Sequence, residues 1–96
     1  MIIAQVSISP VGVGTELHEY VKAAVEEIKK NGLRFETNAM ATVVEAPDLD
    51  TLFGVVKKAH NAVLRTGAKR VITELKVDDR RDKKASIESK VSAFKA

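Results

Sequence analysis

Ninety-six residues, 45% apolar and 30% charged, are one domain's worth of chain, with apolar surface for a single core and too little for two. There is no cysteine, and His18 and His60 are the two histidines, which excludes a disulfide framework, a thiolate nucleophile, an iron–sulfur cluster and a zinc ribbon. The net charge of +3 is local: residues 80–96 carry six Lys/Arg against two Asp/Glu, while residues 1–79 carry ten against eleven, so a nucleic-acid partner is not expected.

Ile2, Ala4, Val6 and Ile8 alternate with Ile3, Gln5, Ser7 and Ser9, the period of two that marks a strand with one face on a core, and Pro10 stops it. After the flexible Val11-Gly12-Val13-Gly14, Thr15 is placed to cap a helix with Glu16 and Glu19 in its first turn, where the helix dipole favours negative charge. Leu17, Tyr20, Val21, Ala24 and Ile28 recur at helical spacing, Lys29 and Lys30 fill the last turn, and Gly32 can take the left-handed closing conformation. Residues 33–46 return to an extended pattern. Phe35 and Thr37 alternate with Arg34 and Glu36, and Ala41, Val43 and Val44 follow a turn near Asn38 and Ala39, which predicts two short strands.

Pro47-Asp48 ends the second of these and caps another helix. Leu49, Leu52, Phe53, Val56, Ala59 and Val63 form its expected buried stripe, Lys57, Lys58 and Asn61 its wet side, and Gly67 its stop. Residues 70–78 read as a fourth strand, with Val71, Thr73, Leu75 and Val77 on one face and Ile72, Glu74 and Lys76 on the other. Ser86 then caps a short terminal helix whose Ile87, Val91 and Phe94 lie at i, i+4 and i+7.

The order β-α-β-β-α-β plus a tail helix predicts one α+β domain over residues 1–96, of the ferredoxin-like kind, with both long helices on one face of a four-stranded antiparallel sheet. With Ala4, Val6 and Ile8 facing the core, the open face is expected to carry Ile3, Gln5, Ser7 and Ser9, joined by Arg34, Glu36, Thr42, Val44, Ile72, Glu74 and Lys76. Such a mixture is too apolar for a solvated sheet and too polar for a dry core, which points to a ligand surface or a subunit interface. No run approaches the roughly 18 apolar residues of a membrane span. Met1 leads straight into Ile2 and Ile3 without a basic segment or cleavage site, so a cytoplasmic protein with no membrane partner is expected.

The common catalytic constellations fail by inspection. No GxGxxG or Walker sequence follows a strand, the histidines lack metal-ligand spacing, and Ser7 and Ser9 have no neighbouring histidine to activate them. The Val11-Gly12-Val13-Gly14 loop resembles the phosphate cradle of acylphosphatases, which share this topology, but lacks the arginine that their chemistry needs. RNA-recognition modules of the same fold stack bases on aromatic residues of central strands, and Tyr20, Phe35, Phe53 and Phe94 are not placed for that. His18 reads as a surface histidine and His60 as a packed or interfacial one. Arg80, Arg81, Lys83 and Lys84 read as a solvated turn, with a phosphate-binding or nucleic-acid role as the other reading. The most informative polar set is Glu36 and Glu45 with Thr42 and Asn38. Carboxylate and hydroxyl groups on adjacent strands can hydrogen-bond an aminopyrimidine or balance a cationic ring, ordinary strand-edge polarity being the plainer explanation.

Three segments carry a family resemblance: Ile3-Ala4-Gln5-Val6-Ser7-Ile8-Ser9-Pro10; Gly32-Leu33-Arg34-Phe35-Glu36-Thr37-Asn38-Ala39-Met40-Ala41-Thr42-Val43-Val44-Glu45; and Asp78-Asp79-Arg80 ahead of Ile87-Glu88-Ser89-Lys90-Val91. Together they resemble the small thiamine-binding protein family, long catalogued as a conserved domain of unknown function. The resemblance implies a ferredoxin-like subunit, dimers paired into tetramers, and binding of thiamine or its hydroxymethylpyrimidine part without catalysis. It aligns Thr42 and Glu45 with the family's strand threonine and glutamate, while Ala41 and Ala46 stand where many relatives have glycine.

The expected function is therefore non-catalytic binding of thiamine or a hydroxymethylpyrimidine compound by Gln5, Ser7, Glu36, Asn38, Thr42 and Glu45, with Phe53 covering the ring and no cofactor or metal. The alternative is an assembly module without a small-molecule ligand. In either case Ile3, Val44 and Ile72 are expected to form one contact surface and Ile87, Val91 and Phe94 a second, giving a homotetramer in preference to a dimer.

Overall fold

The computed structural model describes residues 1–94. Its elements are β1 (Ile2–Pro10), α1 (His18–Lys30), β2 (Phe35–Thr37), β3 (Thr42–Ala46), α2 (Leu49–Arg65), β4 (Val71–Asp78) and α3 (Ile87–Ser92). The sheet order is β2-β3-β1-β4 with every neighbouring pair antiparallel. This is the expected ferredoxin-like α+β arrangement: β1 and β2 run the same way with β3 inserted between them. Both long helices end in a left-handed glycine, Gly32 at φ 77° after α1 and Gly67 at φ 123° after α2. Asp48 caps α2, its side chain accepting from the Thr51 N–H at 2.7 Å. Ser86 and Ser89 form a reciprocal capping box at the start of α3.

Alternation along β1 assigns its two faces. Ile2, Ala4 and Val6 are buried toward α1 and α2, together with Val44 and Ala46 of β3 and with Ala24, Ile28, Leu52, Val55, Ala59 and Val63 of the helices. The register then settles β3, and it corrects the sequence-based expectation. Ala4 pairs with Val44 and Val6 with Thr42, and paired residues share a face, so Thr42 and Val44 belong to the helix-covered side. Val43 and Glu45, paired with Gln5 and Ile3, lie on the opposite face instead.

Three further expectations are corrected. α1 begins at His18 rather than just after Thr15, with Leu17 at the cap position and no capping side chain. The loop before it turns its apolar Val13 onto the core, which delays the first helical turn. On α2 the buried stripe is Leu52, Val55, Ala59, Ala62 and Val63, whereas Leu49 and Phe53 are exposed. Alanines allow α2 a close approach that the phenyl ring would block, and the stripe is rotated accordingly. Finally, the second sheet face is not wholly open. Glu45 and Asp78 are the two register partners of Ile3, and α3 reaches both of them, through Ile87 and Lys90. It therefore crosses over Ile3, and Ile3 and Ile87 are both buried.

Leu52 is fully buried, so Leu52→Ala should lower stability in urea unfolding by about 2–5 kcal/mol. A loss well under 1 kcal/mol would mean that α2 packs elsewhere. Hydrogen bonding from Thr51 holds the Asp48 carboxyl below its ordinary range. Because the folded-state value is the depressed one, this contribution is complete above the usual aspartate range of about 4 and is lost as pH falls through and below it. Asp48→Asn should therefore flatten the acid limb of thermal stability and change little at neutral pH.

Candidate functional site

The polar residues picked out by sequence separate onto the two faces of the sheet. On the covered face, α1 stands away from the end of β1 and the start of β3, leaving a cavity of about 230 Å³. Val6 and Ile8 form its floor, Leu17, Val21, Ala24 and Ile28 of α1 its roof, and Thr37, Thr42 and the turn at 38–41 its polar end. Thr37 and Thr42 are register partners, and their hydroxyl oxygens lie 3.0 Å apart. One hydroxyl donates to the other, which leaves one proton and several lone pairs for a ligand. Asn38 builds the turn: its Oδ1 accepts from the N–H groups of Met40 at 2.8 Å and Ala41 at 2.9 Å, and its own N–H donates to the Ala41 carbonyl. Its amide nitrogen remains as a donor. Met40, 85% exposed, and the half-exposed Val21 stand at the cavity.

Among the described residues no acidic or basic side chain lines this space. It is also smaller than the roughly 300–1,000 Å³ of sites that enclose a drug-sized ligand, so it suits one substituted ring rather than two. No non-glycine residue among those described has a positive φ, so Ala41 and Ala46 adopt their backbone conformations without needing glycine.

On the other face the carboxylates pair within the subunit. Glu45 is 7% exposed, and its Oε2 accepts from the N–H of Ile87 at 2.9 Å, placing negative charge at the first turn of α3. Arg34 joins this group, with Nε 3.7 Å from Glu45 Oε2, Nη2 3.1 Å from Glu36, and a further contact to Glu88. Lys90 of α3 reaches Asp78 at 2.5 Å. The buried Glu45 contact is the firm one, since the others are largely exposed ion pairs of small individual worth.

Of the seven residues expected to bind a ligand, Asn38 and Thr42 line the cavity, and Ser7 borders it between Val6 and Ile8, although strand alternation gives Ser7 the same face of β1 as Gln5. Glu36 and Glu45 lie in the Arg34 cluster. Gln5 is exposed on the far face, opposite Val43 and Lys76, and Phe53 projects from α2 at 51% exposure. Sequence reading missed Thr37, Leu17 and Val21 as cavity residues. A signal for Thr37 was available, because a four-residue turn at 38–41 pairs it with Thr42. His18 is exposed, and His60 Nδ1 lies 2.6 Å from Thr73 Oγ1 between α2 and β4. Among the described residues no group of three His, Cys, Asp or Glu is placed to hold a metal, and no helix is long and apolar enough to cross a membrane.

Glu45→Ala should leave the Ile87 N–H unpaired, costing about 1–3 kcal/mol. The readout is local: amide hydrogen exchange across residues 86–92 should accelerate while β1 and α2 keep their protection. Unchanged exchange would remove Glu45 as the anchor of α3.

A sequence profile describing thiamine-binding proteins matches residues 4–95. A UPF0045 protein of Methanothermobacter thermautotrophicus is 48% identical over 96 residues, which cover 99% of this chain and 97% of that one. Among solved structures, a hypothetical protein of Methanocaldococcus jannaschii superposes with a TM-score of 0.89 at 46% identity, covering 97% of this chain and 94% of its own. A Thermotoga maritima protein, described as a candidate for thiamine biosynthesis or salvage, gives a TM-score of 0.82 at 26% identity, with 98% of each chain covered.

Proposed function

The chain belongs to the thiamine-binding protein family, and on that premise we propose that the cavity between α1 and the sheet binds the pyrimidine part of thiamine, or free hydroxymethylpyrimidine, without catalysis. The observation that carries this reading is the Thr37–Thr42 hydroxyl pair, 3.0 Å apart, set in the wall of an otherwise largely apolar cavity with room for one ring. An aminopyrimidine offers both donors and acceptors on its edge. The two hydroxyls answer either kind, and Asn38 adds a donor. The flat ring suits the walls of Val6, Ile8, Val21 and Ile28.

Among the described residues the lining is neutral, which supports binding over acid–base or nucleophilic chemistry. It also leaves nothing there to balance a thiazolium cation, so in this reading that ring of thiamine stays outside. The carboxylate pairing expected from sequence forms no part of the proposal, since Glu45 is engaged with α3 and Glu36 with Arg34.

Calorimetric titration tests the reading. Hydroxymethylpyrimidine should bind with one-to-one stoichiometry, and Thr42→Val should weaken it about tenfold by leaving a ligand polar group unpaired. Glu36→Gln should bind as the parent does. Absence of heat and of thermal shift at millimolar ligand, in protein shown to carry nothing bound, would overturn it.

One observation favours assembly as a second reading. β4 is an eight-residue strand at the end of the sheet order, and among the described residues nothing pairs with its outer edge. Antiparallel pairing of two copies about Leu75 sets Glu74 opposite Lys76 twice, a self-complementary register. The open-face route expected from sequence has lost Ile3, Val44 and Ile87, all buried within the subunit, so a tetramer would need a further surface. Sedimentation equilibrium should show a dimer that Lys76→Glu dissociates and the exchange Glu74→Lys with Lys76→Glu restores. A parent protein sedimenting as a 10.5 kDa species would exclude it.

A further inference from the structure

Between β4 and α3 the chain folds around a second cavity, of about 350 Å³, lined by Arg80, Lys83, Lys84, Lys90 and Phe94. The acidic residues nearby are already engaged. Arg80 donates from Nε and Nη2 to Asp82 at 2.6 and 2.9 Å, Arg81 donates in the same fork to Asp79 at 2.8 and 2.9 Å, and Lys90 holds Asp78. These pairs hold the Asp79 and Asp82 carboxyls below their ordinary range, so the loop is braced by matched charges. Lys83 and Lys84 are different: among the described residues neither has a carboxylate partner. Ser89 also lines the space, but its hydroxyl is committed to the capping box with Ser86. Phe94, 89% exposed, stands at the same cavity, an aromatic ring with little packing of its own.

Two cations without a carboxylate partner among the described residues, with spare donors on Arg80 and Lys90 at the same cavity, form a receptor for a dianion. An exposed ring at the same cavity adds a stacking surface for a planar group. We propose that this cavity is a second ligand site, specific for a phosphate monoester of an aromatic or heteroaromatic small molecule, the phosphate held by Lys83 and Lys84 and the ring against Phe94.

This site is independent of the pyrimidine site. It lies near the end of β4 that pairs with Ile3, whereas the first cavity involves residues 6–9 of β1. A separation of about five strand residues, at roughly 3.3 Å each, is too long for one small ring compound to span. The charges differ as well: among the described residues no cation lines the first cavity, whereas Arg80, Lys83, Lys84 and Lys90 line this one.

The test uses phenyl phosphate, inorganic phosphate and phenol as probes, titrated at low ionic strength and followed by amide chemical shifts. Phenyl phosphate should saturate at one per subunit and bind about tenfold tighter than inorganic phosphate, the difference expected of one stacked ring. Its affinity should fall as salt is raised, and phenol alone should not bind. Lys83→Ala with Lys84→Ala should weaken both phosphates by about tenfold or more. Phe94→Ala should erase only the advantage of the phenyl group. These side chains are exposed, so an unchanged urea midpoint verifies that the variants fold. Thr42→Val, which alters the other cavity, should leave every value unaltered, so failure of one site is distinguishable from failure of the other. Lack of saturation by either phosphate at millimolar concentration, or equal binding by the lysine double variant, would overturn the proposal. So would saturable binding of a single-stranded oligonucleotide by protein that ignores phenyl phosphate.

Discussion

The pairing of β1 with β3, Ala4 opposite Val44 and Ile3 opposite Glu45, is the constraint on which the rest depends. Strand side chains alternate faces, so a slip of one residue would move Glu45 beneath the helices and Val44 out to the other side. Burying a carboxylate there without a partner costs far more than any strand pair returns. With that register fixed, Thr42 faces α1, where the β2–β3 hairpin sets Thr37 opposite it, and Glu45 lies on the face that α3 covers. One strand, β3, thus serves a pocket on one face and an ionic anchor on the other.

Much of this was legible in the sequence, because several signals are local. The period of two in β4, the Asp48 cap, the glycine stops at Gly32 and Gly67 and the Ser86 cap each depend on a few neighbouring residues, and each is where the pattern places it. The face of β3 was not legible. Its five residues include Val43 and Val44 at opposite parities, so alternation alone does not say which one is buried, and only the long-range register with β1 decides. The same limit applies to α2, where Phe53 and Leu49 fit a helical stripe as well as Val55 and Ala62 do. Tertiary packing favours the small side chains at the closest approach.

The site divided for the same reason. Thr42, Asn38 and Ser7 were found because they are polar residues in or beside predicted strands. Glu36 and Glu45 were chosen on the same grounds, yet their partners lie far along the chain: Glu45 is hydrogen-bonded to a residue 42 positions away. A carboxylate in a strand reads identically in sequence whether it anchors a helix or recognises a base. The apolar half of the pocket, Leu17 and Val21, is hidden in the amphipathic pattern of α1, where cavity wall and core share one signature.

Which face of the sheet receives the ligand decides between the two polar sets, and an amide chemical-shift map of the protein titrated with hydroxymethylpyrimidine measures that directly. Perturbations are expected at Thr37, Thr42, Asn38 and Val21, with Gln5, Glu45 and Ile87 unmoved. Shifts concentrated on Gln5, Glu45 and α3, with the hydroxyl pair silent, would contradict this and return the site to the carboxylate face.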